Sequence, residues 1–229
     1  MTGSRLLTLL SAVALSTHAL AFTLSDLTQA DANTALKDAL AQGAQVAVQQ
    51  LGKPGGFNNN EEVRIELPGA LGKAAGMMKM MGYGKKIEAL ENTMNAAAET
   101  AVPQAQGILV DAVKNMSVQD AKGILEGSDN AATQYLNKSS REQIRAKFLP
   151  IVKQATSQVG LVQQYNAFAS QVSSLGVTTS KKNLNIEDYV TEKALDGLFT
   201  MIGQQEASIR ENPAAAATSL AKKVFGVLQ

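Results

Sequence analysis

No cysteine and no tryptophan occur in this chain, and its one histidine, His18, stands close to the N-terminus. Without thiols there is no disulfide stapling and no cysteine-ligated zinc. His18 falls in a stretch that reads as a leader. Arg5 supplies a positive n-region, residues 6–15 an apolar run, and Ala19-Leu20-Ala21 the small-x-small pattern of a cleavage site. Residues 1–21 are therefore expected to be a cleavable signal peptide, cut after Ala21, and 22–229 a single helical domain in the periplasm or outside the cell. On that expectation the mature chain has no imidazole. Ser-His-Asp and Cys-His catalysis in their standard forms need one near neutral pKa, and histidine-ligated transition metals need one as ligand. The apolar run is too short to cross ~30 Å of hydrocarbon, so no transmembrane anchor is expected after cleavage.

Two further scarcities narrow the field. Aromatics make up only 4% of the residues, too few for base-stacking platforms. Once Arg5 is removed, basic and acidic side chains balance at 20 each, so composition gives no drive towards nucleic acid or anionic lipid. The residues point to no cofactor and no metal. What is abundant is alanine, glycine and glutamine, with proline rare, a mixture that suits closely packed helices. The expected fold is mainly α, a single-domain bundle of about seven to nine helices with at most one short two-stranded β element.

Asp31 is a plausible N-cap for a helix whose apolar face is Leu36, Leu40, Ala44, Ala47 and Leu51. A turn-rich loop at 53–60 follows, with Phe57 expected to pack inward. Residues 63–67 alternate apolar and charged side chains before Pro68, the one clear strand signal. A strand needs a partner for its backbone; the candidates are residues 184–186 or a second subunit's edge. Residues 69–81 predict a helix carrying Met77, Met78, Met80 and Met81, broken by Gly82-Tyr83-Gly84. Ile87, Leu90, Met94, Ala97 and Ala101 mark the next helix, and Val102-Pro103 kinks or ends it.

The stretch 116–136 reads as the centre of the chain, two short helices folded back on each other. Ser117 and Asp120 have capping-box spacing, Gly127 suits a left-handed helix end, and Ser128-Asp129 offers a second cap. Beyond it, Ser140 is expected to cap a helix in which Pro150 makes a kink or a break. Gly160 is a joint, and Leu161, Tyr165, Phe168, Val172 and Leu175 form a stripe. Residues 187–210 should be the longest helix, and Asn212-Pro213 should end it and start the last.

Several of these words carry a resemblance: DAKGIL at 120–125, AATQYL at 131–136, KFLPIV at 147–152, VGLVQQYN at 159–166, DYVTEKALDGLF at 188–199 and TSLAKKVFG at 218–226. In them the chain resembles an uncharacterised family of bacterial exported proteins, domain of unknown function 4197. The resemblance implies a periplasmic or envelope setting and a helical fold, and it transfers no activity, ligand or catalytic residue.

Two functional readings remain. In one, a non-catalytic envelope protein binds a small apolar ligand or a protein partner. Met77, Met78, Met80 and Met81, with Asp120, Asp129 and Tyr135, are the candidate surface; methionine is flexible enough to adapt to a partner, although its commoner use is to fill a core edge. In the alternative, Asp120, Glu126 and Asp129 act as paired carboxylates in a hydrolase or lyase on envelope polymers. The competing role for Asp120 and Asp129 is helix capping.

Overall fold

Thr28 and Asp31 together open the first helix, α1 (Gln29–Leu51). The Thr28 hydroxyl accepts from the Asp31 amide, and the Asp31 carboxylate accepts from the Thr28 amide and hydroxyl. Asp31 is thus the third helical residue of a capping box rather than the cap itself. In the computed structural model, which describes residues 23, 26–174 and 185–228, the elements that follow are also helices. They are α2 (Gly69–Met78), α3 (Gly84–Ala101), α4 (Ala105–Asn115), α5 (Ala121–Leu125), α6 (Ala131–Gln158), α7 (Leu161–Ser173), α8 (Ile186–Glu211) and α9 (Ser219–Gly226). A π-helical turn at Lys79–Tyr83 joins α2 to α3, and single 3₁₀ turns lie at Val102–Gln104 and Pro213–Ala215. The leader lies outside the described residues.

The pair that organises the bundle is α1 with α8, not the hairpin at 116–136. Gly43 of α1 lets α8 approach closely. At Gly43 an added Cβ would stand 3.2 Å from Ile202 Cγ2 and 3.3 Å from the Ile202 carbonyl oxygen. Around this axis lie α4, α5 and α9 against α1, and α6 against α8. The stripes read from periodicity on α1 and α3 are buried: Leu36, Leu40, Ala44, Ala47 and Leu51, and Ile87, Leu90, Met94, Ala97 and Ala101. On α6, Ile144, Phe148, Val152 and Ala155 are buried as well. Phe57 is fully buried as expected, its ring filling the space that Gly197 of α8 leaves open.

Residues 63–67 are not a strand, and among the described residues there is no sheet. Val63, Ile65 and Leu67 do point inward, which is the alternation that mimicked one. The backbone is satisfied by two side chains of α3. Asn95 Oδ1 accepts from the Ile65 amide at 2.9 Å while Asn95 Nδ2 donates to the Ile65 carbonyl at 2.9 Å, and Glu91 Oε1 accepts from the Leu67 amide at 3.4 Å. One asparagine therefore makes both bonds that a neighbouring strand would make. Of the proposed partner at 184–186, Asn185 and Ile186 instead open α8, the Asn185 side chain capping the Glu187 and Asp188 amides, and Leu184 lies outside the described residues.

Three helix boundaries differ from expectation. The longest described helix is α6, at 28 residues against 26 for α8. Ser140 is buried in the middle of α6 and caps nothing. Pro150 does not divide α6: it lies on the exposed side, as does Ala146, whose carbonyl the proline leaves without an amide partner. Gly160, at φ 64°, does make the joint between α6 and α7. Leu161, Phe168 and Val172 of the α7 stripe are buried, while Leu175 lies outside the described residues. Pro213 opens a 3₁₀ turn, and α9 begins only at Ser219, capped by the Thr218 hydroxyl.

Candidate functional site

The acidic residues around the hairpin are the first place to look for chemistry, and most of the charge there serves the fold. Asp120 is the N-cap of α5, its Oδ1 accepting from the Gly123 amide at 2.9 Å. Tyr135 is half-buried and donates from its hydroxyl to the Ser117 carbonyl at 2.5 Å, tying the segment before α5 to α6. Asp129 caps nothing. The residue at the α6 N-cap position is Asn130, which makes no side-chain cap bond.

The cap of α6 arrives from α8. Glu206, fully buried, accepts from the Ala132 amide at 3.0 Å, the Thr133 amide at 2.7 Å and the Thr133 hydroxyl at 2.6 Å. Arg210, one turn on, donates to Glu206 from Nε at 3.1 Å and Nη2 at 2.9 Å. The same guanidinium reaches the C-terminal carbonyls of α5, Leu125 at 2.6 Å and Ile124 at 3.1 Å, and lies 5.5 Å over the Phe225 ring. Negative charge therefore meets the N-terminus of one helix and positive charge the C-terminus of the other, the sense each dipole favours. With its partners in place a buried pair of this kind is tolerated. In sequence, Glu206 and Arg210 read as an ordinary i,i+4 surface pair, and nothing local distinguishes them.

Glu126 and Asp129 line an open cleft of about 700 Å³ with Arg210, Glu211 and Leu228; Asp120 does not join them. Asp120, Glu126 and Asp129 all stand exposed. A glycosidase-type acid is held in an enclosed, apolar position, and none of the three has one. Among the described residues no group of histidine, cysteine, aspartate and glutamate is placed to hold a metal ion. Burial pushes the Tyr165 and Tyr189 phenols up, away from ionisation, and Tyr189 donates to the Glu66 carbonyl at 3.0 Å. Both behave as core tyrosines with a polar end.

A second charged cluster joins α6 to α8. Arg141 bonds Glu192 at 2.6 Å and Asp196 at 2.7 Å, while Arg145 bonds Asp188 at 2.7 Å and Glu192. Burial works to raise the Glu192 carboxyl, but hydrogen bonds from Arg141 and Arg145 outweigh it and hold the group below its ordinary value. The ladder is a strut between the two longest described helices.

The methionines are the residues that the fold does not use up. Met78 is 1% exposed and belongs to the core, but Met77 is 50%, Met80 85% and Met81 52% exposed. They are the exposed large hydrophobic side chains of the described chain. The turn at Lys79–Tyr83 carries Met80 and Met81 and kinks at Gly82, whose φ of 89° only glycine adopts cheaply. Beside the tip, between α3 and α7, runs an open groove of about 300 Å³ floored by Ala89, Leu90, Ala167 and Phe168.

No helix among the described residues is long and apolar enough to cross a membrane. No curated protein and no solved structure matches the chain. A protein-family model described as "Protein of unknown function (DUF4197)" matches residues 26–226, which takes in every helix from α1 to α9, and the chain belongs to that family.

Proposed function

We propose that this is an exported, non-catalytic binding protein of the cell envelope, and that it engages its ligand or partner through the methionine tip formed by α2 and the π-turn. Export rests on the leader pattern at 1–21. The observation that carries the binding role is the exposure of Met77, Met80 and Met81, while the other large apolar side chains among the described residues are buried or half-buried. Exposed apolar patches of this kind mark contact sites, and methionine side chains adapt to the shape of what they meet. A catalytic role finds less support, since Asp120 caps α5 and Glu126 and Asp129 stand exposed, with none of the three in an enclosed apolar position. A photoreactive benzophenone side chain in place of Met80, activated in intact cells, captures whatever sits on the tip. The expected result is a discrete adduct at position 80 and none from the same probe in place of Asp129. Adducts at 129 alone, or none at either position, contradict the proposal.

A further inference from the structure

Resting on that binding role, the charge around the tip identifies what it binds. Between Glu66 and Glu88 the chain carries four lysines, Lys73, Lys79, Lys85 and Lys86, and no carboxylate. All four are exposed, and among the described residues no carboxylate is ion-paired with any of them. The neutrality of the whole chain thus conceals a segment that is locally cationic. Met77, Met80 and Met81 stand at i, i+3 and i+4, the spacing that puts side chains on one helical face. The space around them is open: a Cβ added at Gly76 or Gly82 would meet no atom within 4 Å. Lys86 lies 5.6 Å over the ring of Tyr83, a half-buried aromatic at the edge of the patch. The α2 and π-turn segment packs chiefly on α3 and on itself, so the tip is an outward knob rather than the wall of a groove.

An apolar centre with a cationic rim, on a convex knob, complements a flat surface that is anionic outside and apolar just beneath. We propose that the α2 tip docks on an anionic phospholipid leaflet. Met77, Met80 and Met81 enter the acyl boundary, and the lysines reach the headgroup phosphates along their flexible stems. The anchor is peripheral and reversible, since one short apolar face with a few lysines gives modest affinity.

The test is cosedimentation with phosphatidylcholine vesicles, with and without about one-third phosphatidylglycerol, the anionic lipid that supplies the surface charge. Wild type and variants share one N-terminus, so differences between them report on the tip. The expected result is pelleting with the anionic vesicles alone, weakened by salt. Lys79→Gln should weaken it roughly fivefold, the value of one lysine near such a surface. A triple Met77→Ser, Met80→Ser, Met81→Ser variant should abolish it without changing thermal unfolding, because all three side chains are exposed. Pelleting that ignores lipid charge, no pelleting, or a triple variant that binds as wild type does would overturn the proposal. If vesicles fail while the probe at position 80 still captures a protein, the lipid assignment falls and the binding role stands. If both fail, both fall.

Discussion

Where α8 clasps α5 and α6, a buried carboxylate and its guanidinium are spent on helix ends, and at the α2 tip three large apolar side chains are spent on nothing in the fold. The contrast inverts the usual expectation that charge marks the working surface and methionine the core. Glu206 and Arg210 sit inside because each closes a backbone deficit that water does not reach. Met77, Met80 and Met81 sit outside because the helix turns at Gly82 before any neighbour covers them. Residue type alone says little about role here; what decides is whether the side chain has a partner in the structure.

The largest effect should come from breaking the clasp. Glu206→Ala leaves Arg210 and two amides without their carboxylate, a loss of about 3–5 kcal/mol of stability on the scale of severed buried pairs, measurable by urea denaturation. Replacing both partners, Glu206→Leu with Arg210→Met, should cost distinctly less than the single change. Next comes Asn95→Ala, which orphans the Ile65 amide and carbonyl and should cost about 1–3 kcal/mol. A smaller effect separates the α6–α8 strut from the clasp. Glu192 is held below its ordinary value, so its contribution is present above the unfolded-state pKa and is lost as pH falls through the folded one. Stability should therefore decline on acidification below about pH 4.3, and Glu192→Gln should flatten that decline. The change is modest because the side chain is 39% exposed and water screens it. The smallest effect belongs to the tip: the triple methionine-to-serine variant should unfold within about 0.5 kcal/mol of wild type. A large loss there would erase the distinction between the two regions.

Local signals in the chain were good guides to stripes and joints and poorer ones to caps. Thr28 rather than Asp31 caps α1, Asp120 rather than Ser117 caps α5, and Gly127 is not left-handed. The stripes of α1 and α3 follow from spacing, and the Gly160 joint and the Val102-Pro103 break follow from a few adjacent residues. Two misreadings share one physical origin. The alternation at 63–67 reports which side chains are buried, and says nothing about whether a strand or Asn95 satisfies the backbone. Ser140 is a sound cap by composition, but α6 starts nine residues earlier because Glu206 supplies the cap from 73 residues further along the chain. The four methionines were legible as a group, and only the packing of α2 on α3 separates buried Met78 from its three exposed neighbours. Of the other candidate positions, Asp120 and Tyr135 hold the hairpin's local geometry, and Asp129 lines an open cleft.

Amide hydrogen exchange with and without anionic vesicles measures the division between tip and scaffold most directly. Protection gained only across residues 69–86, with the Ala132 and Thr133 amides under Glu206 unchanged, is the predicted result. Protection gained at the hairpin cleft instead, around 125–129 and 207–211, would contradict it.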